Sequence, residues 1–244
     1  MYPALIFHSF DNNPNSDSFY DISIENFISL IDFLSEKINP KKTIITFDDG
    51  FKSIIPAVEH SLKKGFKTIA YIISDYIDKD GFLTKKDIKY LNSIGCTIGS
   101  HSKSHRDLSK AEEDILIIEL LESKKILEEI IGLKVKHFSF PYGSHNKFSI
   151  KKAKSIYEFN ALSRPNFFKK KYIIGRISIN TLNCKKHSSV LKLLTKKISY
   201  KYIIRLFLSY FLKKILPNET YIFLKNLITK NKSKDVFSKN SYEV

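Results

Sequence analysis

Thr43-Ile44-Ile45-Thr46-Phe47-Asp48-Asp49-Gly50 decides how the chain is to be read. Its first five residues are β-branched or aromatic, the composition of a buried strand. The strand then stops on two adjacent carboxylates and a glycine that allows a sharp turn. Like charges this close oppose each other's ionisation. A cation resolves the conflict: one Asp ligates it while the other, turned away, acts as a base. A plain capped turn, with an Asp as N-cap of the next helix, suits the three residues equally well on their own.

The same alternation of short apolar run and amphipathic segment extends over the first 180 residues. Strands are predicted at residues 4–8, 43–47, 68–73, 97–99, 136–140, 159–162 and 173–179. Helices are predicted at 24–37, 52–64, 84–94, 109–131 and 147–157. The first carries apolar residues at 24, 27, 28, 31 and 34, one helical stripe. Ser109-Lys110-Ala111-Glu112 has the form of a capping box opening the long helix, and Gly132 closes it; Thr84-Lys85-Lys86-Asp87 is a second helix start. Seven strands with interposed helices imply a parallel α/β architecture, either an open doubly wound sheet or a closed barrel. In both, reactive groups gather at the C-terminal ends of the strands.

Composition bounds the rest. The 244 residues are 43% hydrophobic and 27% charged, which excludes wholesale disorder. Two cysteines, Cys96 and Cys184, cannot build a disulfide framework and suit a reducing compartment. No apolar run reaches the roughly 18 residues of a spanning helix. Met1 to His8 shows neither a basic segment nor an apolar signal core, so the expected location is cytoplasmic, peripheral to the inner face of the membrane. The net charge of +16 is uneven: residues 1–184 carry 27 basic and 22 acidic side chains, residues 185–244 carry 14 and 3. A catalytic domain is therefore drawn over 1–184 and a basic, apolar helical extension over 185–244, with residues 202–216 helical up to Pro217. Only four of the 41 basic residues are Arg, the residue that pairs bidentately with bases and phosphates, so no nucleic-acid partner is expected. The extension could instead lie on an anionic membrane surface or pack on the barrel. Nothing in the sequence sets the oligomeric state.

Three further strand ends carry chemistry. His101-Ser102-Lys103-Ser104-His105 puts two imidazoles four residues apart, able to converge on one ion. Together with one Asp they make three protein ligands and leave positions open for water and substrate, as a catalytic site requires. Phe138-Ser139-Phe140-Pro141-Tyr142-Gly143 fixes a turn whose backbone N–H groups could face an oxyanion. His8 ends the first strand; a lone His beside an apolar run is more often a core residue, but its place on the same rim favours a role in the site.

In this order and spacing, TFDDG, HSxxH and FxFPYG resemble the metal-dependent polysaccharide deacetylases of the fourth carbohydrate esterase family, over about residues 3–180. The resemblance implies a distorted (β/α) barrel that hydrolyses an N-acetyl group from an amino sugar with a divalent metal, zinc foremost; the sequence does not fix whether that sugar is free, nucleotide-linked, part of a lipid-linked glycan or polymeric. It casts Asp48 as general base, Asp49, His101 and His105 as metal ligands, and the Tyr142 backbone N–H as oxyanion donor. Many members carry Arg and Pro where this chain has Ser139 and Phe140, and that Arg would pair with the catalytic Asp. Many also supply an acid His near the C-terminus, in a context that His187 does not match. The opening strand resembles instead the circularly permuted branch with an N-terminal catalytic His, which makes His8 the general acid. Arg176, in Gly175-Arg176-Ile177, matches a recurrent Arg-Ile strand of these relatives and is the candidate to steady Asp48 or the substrate.

Overall fold

A computed structural model describes residues 4–10, 22–163, 172–179 and 184–195. Seven parallel strands close into a barrel in chain order: β1 (Ala4–Phe7), β2 (Ile44–Phe47), β3 (Lys67–Ile72), β4 (Thr97–Ser100), β5 (His137–Ser139), β6 (Phe159–Leu162) and β7 (Ile173–Ser178). Pairing of β1 with β7 (Ala4 with Arg176, Leu5 with Ile177) closes it and settles the choice against an open sheet. The helices are α1 (Ile24–Lys37), α2 (Ile55–Lys63), α3 (Lys85–Ser93), α4 (Glu113–Ile131), α5 (Lys147–Ile156) and α6 (His187–Thr195).

The α1 stripe buries Phe27, Leu30, Ile31 and Leu34, and the Phe27 ring meets Phe7 edge-on at 4.9 Å. Each such side chain contributes about 1.5–3 kcal/mol by leaving water, so this layer between strands and helices dominates the fold energetics. Inside the barrel a smaller cluster of Ile69, Tyr71 and Ala161, packed by Ile44 and Ile174, fills the lower part. Gly99 on β4 is small for a reason: a Cβ there would stand 2.6 Å from Cδ1 of Tyr71.

Thr84 caps α3 with Asp87 in the reciprocal box expected, and α4 ends on Gly132 in the left-handed region (φ 70°). The expected capping box at Ser109 does not form. The Ser109 amide and hydroxyl both donate to Asp107 Oδ1 (2.9 and 2.7 Å), which holds residues 107–109 in a turn. Helix α4 consequently starts at Glu113. The predicted segment 52–64 is a 3-10 turn followed by α2.

The compact unit containing the barrel runs from Met1 to Leu194, beyond the charge boundary at residue 184. Helix α6 buries Val190 and Leu194 in the same core as the barrel helices, while the lysines at 185 and 186 stay exposed. The helix expected at residues 202–216 lies outside the described residues. No helix among the described residues is long and apolar enough to cross a membrane.

Candidate active site

Side chains alternate along a strand, so residues two apart share a face. Ile44 and Thr46 face inward, and the next position in that series is Asp48; Gly99 faces Tyr71, and the next is His101. The ladder continues past the strand ends to hold them: the Asp48 N–H donates to Phe7 O (2.9 Å) and the His101 N–H to Ile72 O (2.8 Å). His8, Asp48, His101, Ser139 and Arg176 thus gather at the C-terminal mouth of the barrel.

The two carboxylates separate because the backbone turns between them. Asp49 (φ 74°) and Gly50 (φ 83°) are both left-handed, and Leu83 N–H holds Gly50 O at 2.9 Å. Asp48 enters the barrel, whereas Asp49 Oδ1 lies 3.3 Å from Nε2 of both His101 and His105. The capped-turn alternative fails, because the next helical turn is capped by Phe51 without any side-chain bond.

Donor atoms of Asp49, His101 and His105 all lie within 4.8 Å of one another, the one such group among the described residues. The His101 Nδ1 pairs with the Ser139 carbonyl oxygen at 2.8 Å. A carbonyl only accepts, so Nδ1 carries a proton and Nε2 is the nitrogen turned to Asp49, donating to it when the ring is protonated and offering its lone pair to a cation when it is not. A carboxylate and two imidazoles with an oriented lone pair fit a divalent cation of the zinc type. Burial raises the Asp49 pKa, but the bonds to His101 and His105 outweigh it and hold the carboxyl ionised, far below the usual carboxylate range.

Asp48 is 2% exposed, and both of its oxygens are hydrogen-bonded. Arg176, itself fully buried, meets it with two parallel bonds, Nη1 to Oδ1 at 2.5 Å and Nη2 to Oδ2 at 2.8 Å. Ser139 Oγ donates to Asp48 Oδ2 (3.2 Å) and accepts from Arg176 Nη2 (2.8 Å). Arg176 also reaches Thr46 Oγ1 (3.2 Å), and its guanidinium lies 5.1 Å from the Tyr71 ring centre. The guanidinium that Ser139 does not provide therefore comes from β7, on the far side of the seam. Of the two roles open to Arg176, the structure places it on Asp48. Desolvation alone would raise the Asp48 pKa; the charges of Arg176 and His101 overcome it and keep the carboxyl below its ordinary value.

His8 stands on the same rim, close enough that Asp49 and Asp48 act on it electrostatically; burial nevertheless lowers its pKa. Tyr142 adopts φ 57° in the Pro141–Gly143 turn; the residue is 67% exposed, and its ring lies 4.6 Å from the His105 ring. The structure brings all seven sequence-derived site residues to one end of the barrel. Ser139, Thr46 and Tyr71 were missed as partners of the buried ion pair. A hydroxyl at a strand end was the only trace of the first two, and Tyr71 reads as ordinary core.

A family model described as polysaccharide deacetylase matches residues 35–157. The peptidoglycan-N-acetylglucosamine deacetylase of Bacillus cereus is 27% identical over 107 residues, 43% of this chain and 38% of that protein. The chain spans less than half the length of the curated relatives it matches. Among solved structures, a polysaccharide deacetylase from Bacillus cereus superposes with a TM-score of 0.68 at 23% identity, covering 78% of this chain and 68% of that one. The Streptococcus pyogenes deacetylase PplD gives 0.71 at 16% identity, covering 80% and 99%. These two likenesses concern the fold; the family match extends over half the sequence and includes the strand ends that bear Asp48, Asp49, His101, His105 and Tyr142. The chain belongs to the polysaccharide deacetylase family.

Proposed function

We propose that this chain is a divalent-metal-dependent hydrolase that removes the N-acetyl group from an amino sugar of a glycan. The observation that carries this reading is the convergence of Asp49, His101 and His105 beside a separate, Arg-held carboxylate, Asp48. A cation held by the three ligands, zinc foremost, would supply Lewis acidity and bring the pKa of a coordinated water to about 7. Asp48 stays ionised and accepts the proton of the attacking water. The backbone N–H of Tyr142 donates to the developing oxyanion; one such donor is worth about 2.7–4 kcal/mol. His8 protonates the amine as the C–N bond breaks, releasing acetate. Its lowered pKa makes the imidazolium a stronger acid, at the cost of a smaller protonated fraction at pH 7.

The Bacillus cereus relative, named for N-acetylglucosamine of peptidoglycan, supports an N-acetylated glycan as substrate. The basic excess from residue 185 onward supports a lipid-linked glycan at an anionic membrane surface as its form. Paired N- and O-acetylated amino sugars test the bond attacked. Acetate is expected from N-acetylglucosamine oligomers at a higher kcat/KM than from the O-acetyl esters. Ester hydrolysis alone would assign the site to an esterase.

A further inference from the structure

We infer that Glu119 of α4 is the positioning residue that pre-organises the two histidines for metal, a reading that rests on the metal site proposed above. Glu119 is 3% exposed, deep on the buried face of its helix. Its Oε2 accepts from two successive backbone amides, Lys103 N (2.9 Å) and Ser104 N (2.8 Å), and its Oε1 accepts from Ser104 Oγ at 2.5 Å. A carboxylate satisfied by consecutive N–H groups is an anion in a backbone nest. Here the protein supplies the anion itself, and the nest is the loop between the two imidazoles. Lys103 Nζ goes elsewhere, to Asp75 at 3.1 Å. Arg106 Nε is 3.4 Å from Oε1, but its side chain is 57% exposed and therefore screened.

The loop needs such a hold. Ser102 (φ 67°) and His105 (φ 64°) are both left-handed without being glycine, a conformation that persists only when the surroundings fix it. Every amide from His101 to His105 has a partner: Ile72 O, Ser100 Oγ, Glu119 twice, and Ser102 Oγ. One turn further along α4, Ser123 Oγ meets Ser100 Oγ at 2.8 Å. Helix α4 thus grips the segment just before His101 and again between the two histidines. Without Glu119, amides 103 and 104 lose their partners and His105 loses the geometry that places its Nε2 opposite Asp49.

The test measures zinc affinity by chelator competition on wild type, Glu119→Gln and His105→Ala, alongside the melting temperature of each metal-free protein. In Glu119→Gln the one amide oxygen can still take both backbone donors, but only as a neutral acceptor and with its NH₂ turned to Ser104 Oγ, so the charge assistance of all three bonds and the hydroxyl's donation are lost. Supporting groups around metal ligands are typically worth 10–100-fold in affinity. Zinc Kd is expected to rise by about that factor, with the metal-free melting temperature within a few degrees of wild type and faster amide exchange at Lys103 and Ser104. An unchanged Kd in Glu119→Gln, or a lowered metal-free melting temperature with unchanged Kd, would overturn the inference and leave Glu119 a packing residue. Failure of wild type to bind zinc, or undiminished binding by His105→Ala, would overturn the metal site itself. Should Glu119→Gln not fold, Ser104→Ala removes the hydroxyl donor to Glu119, along with an exposed bond from Arg106 Nε; a several-fold higher Kd supports the inference and a wild-type Kd overturns it.

Discussion

Asp48→Asn is expected to lower acetate release by about 10²–10⁴-fold, the usual contribution of a positioned general base, while zinc content stays at the wild-type level. The separation of effects follows from where the two carboxylates point. Asp49 faces the histidines; Asp48 spends its oxygens on Arg176 and Ser139 and stands 3.6 Å from His101 Nε2. Asparagine keeps the shape and removes the proton acceptor. Its amide also turns a donor toward donors, and an unmade buried hydrogen bond costs about 1–3 kcal/mol. Unfolding should therefore be measured with activity and metal content on the same preparation. Loss of zinc in this variant would make Asp48 a ligand, and retained activity would remove it from the reaction.

Arg176→Met is expected to be the most destabilising single change at the site. It leaves Asp48 buried without its counter-charge, and removing one partner of a buried pair typically costs about 3–5 kcal/mol. The pH dependence gives the mechanism. In wild type the Asp48 pKa is depressed, so its contribution to stability is present above the unfolded carboxyl value and is lost as pH falls. In the variant, burial acts without the guanidinium and the pKa rises above the unfolded value. The variant's deficit should then be largest at neutral pH and shrink as acid protonates Asp48. Activity should also lose its base at a higher pH than in wild type. Denaturant titrations of both proteins over a pH series check the sign; an equal deficit at every pH would mean that lost packing, not an unpaired charge, is responsible.

How much of this was legible in the sequence depends on how local each signal is. The seven strands and the α1 stripe follow from side-chain periodicity, and Asp48, Asp49, His101 and His105 sit in motifs a few residues long. Barrel closure is different, because β1 and β7 meet across nearly the whole domain and no local pattern states their register. The same distance left the pairing of Arg176 with Asp48, 128 residues apart, as one of two roles open to that arginine until the structure brought the two side chains together. Ser109 misled because a short polar side chain can cap a helix or close a turn, and Asp107 two residues earlier decided for the turn. Glu119 gave no signal at all: a glutamate in a helix looks solvated until the loop that covers it is known. The boundary drawn at the charge step after residue 184 is likewise crossed by α6, whose Val190 and Leu194 join the core.

The most direct test of the central claim is acetate release from an N-acetylglucosamine oligomer by the intact chain, before chelation, after it, and after zinc is restored. Release that stops on chelation and returns with stoichiometric zinc is the expected result. Release indifferent to chelation, or absent from protein shown to carry zinc, would contradict it.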